Sequence, residues 1–411
     1  MPDRDRVRDG LLAAYVVGLA LSITVAETAL VLLAIRWLVR LVSGRARPGW
    51  PLAWPIAAFA IVSLAAGALA ARPADGVWNA RFVVLLASIW ILRDAWPDAV
   101  RARRDFLLLL GMMALISLVG LVQVGYCAEL APWTPVLGGV AAKCHRAHAF
   151  YSIYMTMGGV LAVGLLATLP ILIHGRGGPR WSLAAWLLAA VGLAVTYVRG
   201  AWVGFGAGVL ALATTVRHGG RLLLAGLLLL MLVLLLLPGV RSRAQSIADP
   251  GDPTSSERLL MWRSGMAMAR DHLLTGVGPG QVKRVYPGYA AAEVVHKTRG
   301  HLHNTPIQIL VERGVLGLLA WLWIFAAFFA RTWPLARALV TAGDARHVLV
   351  AGGVAAVLGF LVAGLTEYNF GDTEVLLVTT LAMSAALVVE HDAGGAPPAE
   401  RPAPPPGRPG A

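Results

Sequence analysis

The sequence predicts an all-α, polytopic integral membrane protein with about twelve transmembrane helices and one long periplasmic loop. Of its 411 residues, 58% are hydrophobic and only 14% are charged, whereas soluble domains are about 45–50% apolar and about 25% charged. Mean hydropathy is +0.69. Nearly uncharged apolar stretches also recur at about the 20-residue length that crosses a bilayer. This composition excludes an ordinary cytosolic enzyme, a disordered protein and a disulfide-rich scaffold.

The apolar stretches define the predicted spans. Two segments, 11–42 and 181–216, are long enough to be single tilted helices. At about 1.5 Å per residue each would overshoot the membrane considerably, so we expect both to be split. Glu27 would then lie at the first break and Arg199 at the second. The twelve spans are predicted at residues 11–26, 27–42, 51–71, 81–97, 105–126, 151–173, 181–198, 200–216, 221–239, 307–331, 346–366 and 372–390.

The net charge of +13 comes from 35 Lys+Arg against 22 Asp+Glu, and only three of the 35 are lysine. A GC-rich genome is the simplest explanation of that skew, and selection for phosphate-binding guanidinium groups is the alternative. In the predicted topology, most arginines lie at the ends of the spans that face the same side of the membrane as the N-terminus. The positive-inside rule therefore predicts that both termini are cytoplasmic. The mixed-charge N-terminus lacks a clear cleavage site, so no cleavable signal peptide is predicted.

Four parts of the chain follow from this topology. Residues 1–239 hold nine predicted spans, and 240–306 form the one long polar segment, a predicted periplasmic loop with short helices. Residues 307–390 hold the last three spans. Residues 391–411 contain seven of the 24 prolines and are predicted to be a disordered cytoplasmic tail.

Both cysteines, Cys127 and Cys144, fall in one predicted outer link. An oxidising periplasm permits a disulfide there, and closing such a loop is worth about 3 kcal/mol in the entropy model. Two free thiols are the alternative.

Two histidines, His301 and His303, stand just before a predicted span. Asn304, Gln308 and Glu312 follow at four-residue spacing and would line one helix face. Polar groups that enter lipid normally face a cavity or a partner, and a histidine suits general-base chemistry. A capped helix start with a polar packing seam is the structural alternative. Two histidines separated by one residue could also begin a zinc site, but no third ligand stands at a usual spacing, so the metal interpretation is the weaker one.

Arg199 lies within the motif TYVRGAW and is the one charged residue from 181 to 216. Gly200, Gly204 and Gly208 follow it at four-residue intervals, a pattern typical of close helix packing. Snorkelling to the membrane surface is the ordinary reading of such an arginine. Confinement in a short, aromatic-flanked turn instead favours a binding role.

A helix start is predicted at Thr254–Ser256 in the long loop. Arg258 and Trp262 are four residues apart on its face, and Arg263 lies towards the same side. Such a helix can lie in the membrane interface or present guanidinium groups to a phosphate. Arg81, at the outer start of a span, is a weaker candidate. The last outer link has no basic residue but holds four polar candidates of lower rank: Glu367, Asn369, Asp372 and Glu374.

All of the main candidates fall on the predicted outer face. Arginines there would bind an anionic leaving group such as a diphosphate, and a histidine would deprotonate an acceptor hydroxyl. A lipid-linked diphosphate substrate would explain a catalyst within the membrane.

Three motifs, GHLHNTPIQILVERGVLGL, TYVRGAW and SSERLLMW, together with the span layout, resemble the O-antigen ligase family. This resemblance implies an inverting glycosyltransferase that needs no metal or other cofactor. Its donor would be O-antigen on undecaprenyl diphosphate, and its acceptor a sugar hydroxyl of lipid A–core at the periplasmic side of the bacterial inner membrane. His303 would be the base, while Arg199 and Arg258 would hold the diphosphate. His301, Arg263, Arg81, Asn304 and Glu312 are weaker site candidates.

The wider family leaves alternatives open. An O-antigen polymerase shares the chemistry and differs in its acceptor. A protein O-oligosaccharyltransferase usually carries an additional C-terminal periplasmic portion, whereas this chain has a predicted cytoplasmic tail. A transporter or lipid flippase normally places ionisable groups near the bilayer midplane, but here they gather at the outer rim. Membrane lipids are expected partners, and nucleic acid is not.

Overall fold

The computed structural model describes residues 5–47, 49–127, 144–174, 179–215, 220–247, 249, 251–291, 293, 297–298 and 300–394. About 79% of these residues are helical, and no strand occurs among them. The all-α prediction is therefore confirmed. Most of the predicted tail, and Lys143 in the outer link that joins the cysteines, lie outside the described residues.

The helices of the described ranges are numbered in chain order. The first six are α1 (Arg6–Leu21), α2 (Ile23–Val42), α3 (Ala53–Ala68), α4 (Pro73–Ala80), α5 (Ser88–Ala95) and α6 (Ala99–Gly125). The next six are α7 (Tyr154–His174), α8 (Trp181–Val195), α9 (Arg199–Thr215), α10 (Gly220–Leu234), α11 (Pro238–Gln245) and α12 (Pro253–Asp271). They are followed by α13 (Val282–Val285), α14 (Thr305–Ala342), α15 (His347–Ala363) and α16 (Thr373–Gly394), with 3-10 turns at Arg81–Ala87, Tyr286–Gly288 and Asn369–Gly371.

Among the described residues, five helical segments are long and apolar enough to cross a membrane, which indicates an integral membrane protein. These are Pro73–Ala95, Ala99–Gly125, Tyr154–Ile173, Thr305–Ala342 and Thr373–Asp392. α10 and α11 together would make a sixth but are bent by 108°. α3, α8 and α15 are apolar but shorter. The count of twelve spans and the periplasmic position of the long loop stay predictions.

The break between the first two helices lies at Ser22, not at Glu27 as predicted. Ser22 is extended (φ −164°, ψ 112°), and Glu27 lies within α2. The shift follows from close packing at the elbow, where the missing side chain of Gly18 lets α1 approach the backbone of Ala26. The second predicted break is confirmed, because α8 ends at Val195 and α9 begins at Arg199.

α15 lies at the centre of the bundle and packs against α7, α9, α14 and α16. Almost every side chain along it is buried, which suits a helix surrounded by others rather than by solvent. Small residues allow these close approaches, since a side chain at Gly204 would meet the backbone of Gly359. α15 therefore holds the ends of α9, α14 and α16 near one another.

α14 is broken at Gly314 (φ 67°, ψ −173°), within the predicted continuous span. The break frees two carbonyls, which accept from the loop after α12: Val311 from Val277 at 2.8 Å and Glu312 from Gly278 at 3.0 Å. Val315 in turn donates to Leu273 at 2.8 Å. These bonds satisfy backbone groups that a kink would otherwise leave unpaired.

Cys127 and Cys144 form a disulfide with a Cα–Cα distance of 5.2 Å. The bridge joins the end of α6 to the segment that leads into α7, as the sequence favoured over two free thiols.

We predict that Gly314→Ala destabilises the protein. A side chain there would meet the Leu274 carbonyl, and this backbone region admits essentially only glycine, at a cost of about 1–3 kcal/mol for other residues. The thermal midpoint in detergent should fall by several degrees. Gly226→Ala on α10 is the control, because no atom lies near the added methyl group. An unchanged midpoint for Gly314→Ala would contradict this role.

Candidate functional site

The candidate site lies where the start of α14 meets the link between α15 and α16. The Thr305 amide donates to the Gly364 carbonyl at 2.7 Å, and Asn304 Nδ2 donates to the Leu365 carbonyl at 2.7 Å. Thr305 Oγ1 also donates to the Glu367 carbonyl at 2.9 Å. Asn304 caps α14 by accepting from the Ile307 amide. The link is thus fixed against the residue that follows His303.

Glu367 joins two of the predicted site residues. Its Oε1 accepts from Arg258 Nη2, and its Oε2 lies 3.1 Å from His303 Nδ1. Burial alone would raise the pKa of the Glu367 carboxyl, but the hydrogen bond from His303 and the charge of Arg258 outweigh it, so the pKa is lowered. The carboxylate is therefore ionised near neutral pH and only accepts hydrogen bonds.

This carboxylate sets the tautomer of a neutral His303. An ionised carboxylate has no proton to donate, so Nδ1 carries the hydrogen and Nε2 carries the lone pair. The His303 backbone is left-handed (φ 47°), a conformation that is uncommon outside glycine and is often found at functional sites. Two flanking contacts hold it, since Trp262 Nε1 donates to the Leu302 carbonyl at 3.0 Å and the Leu302 amide donates to Gln308 at 2.9 Å.

A cavity of 90 Å³, here called the arginine cavity, opens beside Glu367. Four guanidinium groups line it, from Arg146, Arg199, Arg243 and Arg258. The other lining residues are Tyr154, Met155, Tyr197, Val198, Thr254 and Glu367. Four cations against one lining carboxylate make this a favourable place for a multiply charged anion.

Arg199 is anchored at the wall of the arginine cavity. Its Nη1 donates to the Ser246 carbonyl at 2.7 Å and its Nη2 to Asp252 Oδ1 at 2.9 Å. Asp252 also caps α12 by accepting from the Ser255 amide at 2.8 Å, so the capping residue is Asp252 rather than the predicted hydroxyl cluster. Burial of the Asp252 carboxyl is outweighed by the hydrogen bonds from Ser255 and Arg199, and its pKa is lowered.

The pKa of Arg243 is affected by the other positive charges of the cavity. Burial, followed by the charges of Arg199 and Arg146, lowers the pKa of its guanidinium. The Arg146 guanidinium lies 4.5 Å from the ring centre of Tyr154, a cation–π contact that positions it. Mutual repulsion among these cations is relieved when an anion enters.

Three of the weaker candidates lie away from His303, Glu367 and the arginine cavity. Arg263 is exposed on α12. Arg81 is also exposed and stacks over Trp78 at 3.9 Å. Glu312 is buried and bonds Gln308, the neighbouring Arg313 and the Gly280 amide, so it fastens the loop to the break in α14.

His301, in contrast, lies beside His303, and the centres of the two rings are 4.3 Å apart. Within the described ranges, no three His, Cys, Asp or Glu side chains come together as a metal site.

Four residues around Glu367 and the arginine cavity were missed or ranked low from the sequence. Glu367 was one of four polar residues in its link, and Asp252, Arg146 and Arg243 were not among the main candidates. One signal was available for Glu367: its link has carboxylates and no basic residue, and it lies on the same predicted face as Arg199 and Arg258.

Residues 183–322 match a family model described as O-antigen ligase, as the motifs predicted. The match runs from α8 into α14 and includes Arg199, Arg258 and His303. Glu367 lies outside it. No curated protein is significantly similar to the chain in sequence.

We predict that Glu367→Gln changes how stability depends on pH. The folded pKa of Glu367 is lowered, so its contribution is complete above the unfolded value of about 4.3 and is lost as the pH falls through the folded value. In a series from about pH 6 down to pH 3, the wild-type thermal midpoint should fall more steeply than that of the variant.

Asp75→Asn provides the control for this titration, because Asp75 is exposed and forms only a loose surface pair with Arg72 at 3.7 Å. Its curve should follow the wild type. Parallel curves for Glu367→Gln and wild type would mean that the Glu367 contacts carry no stability.

Proposed function

We propose that the protein is an O-antigen ligase, because residues 183–322 match the O-antigen ligase family model. It is an inverting, metal-independent glycosyltransferase that moves O-antigen glycan from undecaprenyl diphosphate to a sugar hydroxyl of lipid A–core. The enzyme lies in the bacterial inner membrane with both termini cytoplasmic and its site on the periplasmic side. Most of the arginines lie near the predicted cytoplasmic ends of the helices, and this distribution supports that orientation.

In this reaction His303 is the general base. The acceptor hydroxyl oxygen attacks the anomeric carbon of the donor, and its proton passes to Nε2 of His303. The bond from that carbon to the phosphate oxygen breaks, and its electron pair leaves with the diphosphate. Glu367 orients the imidazole and stabilises the imidazolium that forms, through the contact at Nδ1.

Arg199 and Arg258 hold the diphosphate, and Arg146 and Arg243 add charge around it. Guanidinium groups stabilise the negative charge that develops on the leaving group. Arg258 donates to Glu367 through one nitrogen, and its remaining N–H groups are able to donate to phosphate oxygens. The single observation that carries the proposal is this shared carboxylate, because it joins a base to a cavity of four cations.

Replacing His303 by alanine should lower transfer about 100- to 10,000-fold, the usual contribution of a general base, while the protein still inserts. A rate like that of wild type would reject His303 as the base.

Arg258→Ala should raise the donor KM and lower kcat, because it removes a phosphate ligand and leaves Glu367 without its cation. Arg263→Ala, five residues along the same helix but exposed, is the matched control and should transfer like wild type. Equal effects of the two substitutions would reject a specific role for Arg258.

Arg199→Lys should also be poorly active, since an ammonium group cannot span Ser246 and Asp252 as the guanidinium does. Kinetics of the purified variant, with circular dichroism as a folding check, would measure this. Full activity would mean that charge alone suffices.

Reconstitution with lipid-linked O-antigen and lipid A–core tests the function itself. Core-linked product that forms equally well with EDTA is the expected result. Lengthening of the lipid-linked glycan instead would identify a polymerase, and no glycan product at all would reject both activities.

A further inference from the structure

A second cavity of 190 Å³ lies next to the arginine cavity. It is bounded by the N-terminal ends of α7 and α9 and by the link between α15 and α16. Met155, Val198 and Glu367 line both cavities. The remaining lining residues are Ile153, Gly159, Ala201, His301, Ala363, Tyr368, Asn369, Gly371, Asp372 and Val375.

The two cavities differ in charge. The second one is lined by the carboxylates of Glu367 and Asp372 and by no arginine or lysine. A diphosphate would be repelled by these carboxylates. Both have protein partners already, since Glu367 bonds Arg258 and His303 and Asp372 accepts from Thr156 Oγ1 at 2.6 Å. A carboxylate accepts hydrogen bonds from several donors, so Asp372 can still bind the hydroxyl groups of a ligand. We call this the carboxylate cavity.

Two rings border the carboxylate cavity, with the centres of His301 and Tyr368 6.1 Å apart. His301 also stands edge-on to the base, with ring centres 4.3 Å apart. A ligand held against His301 therefore lies close to His303. Ring surfaces with a few convergent polar groups are what a small polar ligand with apolar faces needs from its pocket.

Resting on the ligase activity proposed above, we propose that the carboxylate cavity binds the acceptor sugar. The sugar would donate its hydroxyl groups to Asp372 and pack a ring face against His301 and Tyr368. His301 is then an acceptor-binding residue rather than a second base.

Separate cavities suit a single displacement with inversion. The acceptor oxygen must approach the anomeric carbon from the side away from the leaving diphosphate. The diphosphate belongs in the arginine cavity by charge, so the acceptor needs a neighbouring space that reaches the base. The shared wall of Met155, Val198 and Glu367 would lie beside the anomeric carbon.

Ala201→Leu tests this assignment, because Ala201 lines the carboxylate cavity and not the arginine cavity. The larger side chain should raise the KM for lipid A–core by about tenfold or more. The KM for lipid-linked O-antigen, and thermal stabilisation by undecaprenyl diphosphate, should stay at wild-type values. Ala213→Leu on the same helix, at a site that lines neither cavity, should change neither KM.

A raised donor KM with an unchanged acceptor KM would overturn the proposal and assign the cavity to the lipid chain of the donor. A second pair of variants removes any dependence on the folding of Ala201→Leu. His301→Ala should raise the acceptor KM, and His301→Phe, which restores a ring, should recover most of the loss. Unchanged acceptor KM in His301→Ala would also overturn the proposal.

These outcomes are separable from failure of the proposed function. Absence of any core-linked product with the wild-type protein would reject the ligase itself, whereas normal wild-type transfer with an insensitive carboxylate cavity would reject only the acceptor site.

Discussion

The organisation of the site depends on one buried carboxylate with two partners. Glu367 bonds Arg258 of α12 through one oxygen and His303, just before α14, through the other. Taking a carboxylate out of water is costly unless its partners compensate for the lost hydration. The two partners do so, and each is thereby held in place. The same side chain lies against the imidazole and lines both cavities, so the proposed base, the arginine cavity and the proposed acceptor site meet at Glu367.

The packing of the helices positions Glu367. α15 brings the ends of its neighbours together, and the hydrogen bonds from Asn304 and Thr305 fix the link that carries Glu367. On the other side of the arginine cavity, Asp252 both caps α12 and pairs with Arg199. Carboxylates thus position the arginines, and the net charge of the cavity stays positive.

Much of this could be predicted from the sequence, because the relevant signals are local. Apolar length indicates helices, and the division of 11–42 and 181–216 into two helices each follows from how far one helix can extend. The position of the first break, at Ser22 rather than Glu27, did not follow from the sequence. His303 and Arg258 stood out as polar residues at predicted helix starts. The contacts of Glu367 could not be predicted, since its partners lie 109 and 64 residues away and the pairing depends on how α15 packs. For the same reason the sequence placed Arg263 towards the same side of the helix as Arg258, whereas in the structure Arg258 bonds Glu367 and Arg263 is exposed.

The central claim is that His303 and Glu367 act as one unit, and a double-mutant cycle on transfer tests it most directly. Single-turnover rates would be measured for wild type, His303→Ala, Glu367→Gln and the double variant. Residues that act together are strongly non-additive in their effects. Glu367→Gln should therefore slow the wild type markedly but slow His303→Ala hardly at all. Equal slowing in both backgrounds would show that Glu367 acts independently of the base and would contradict this account.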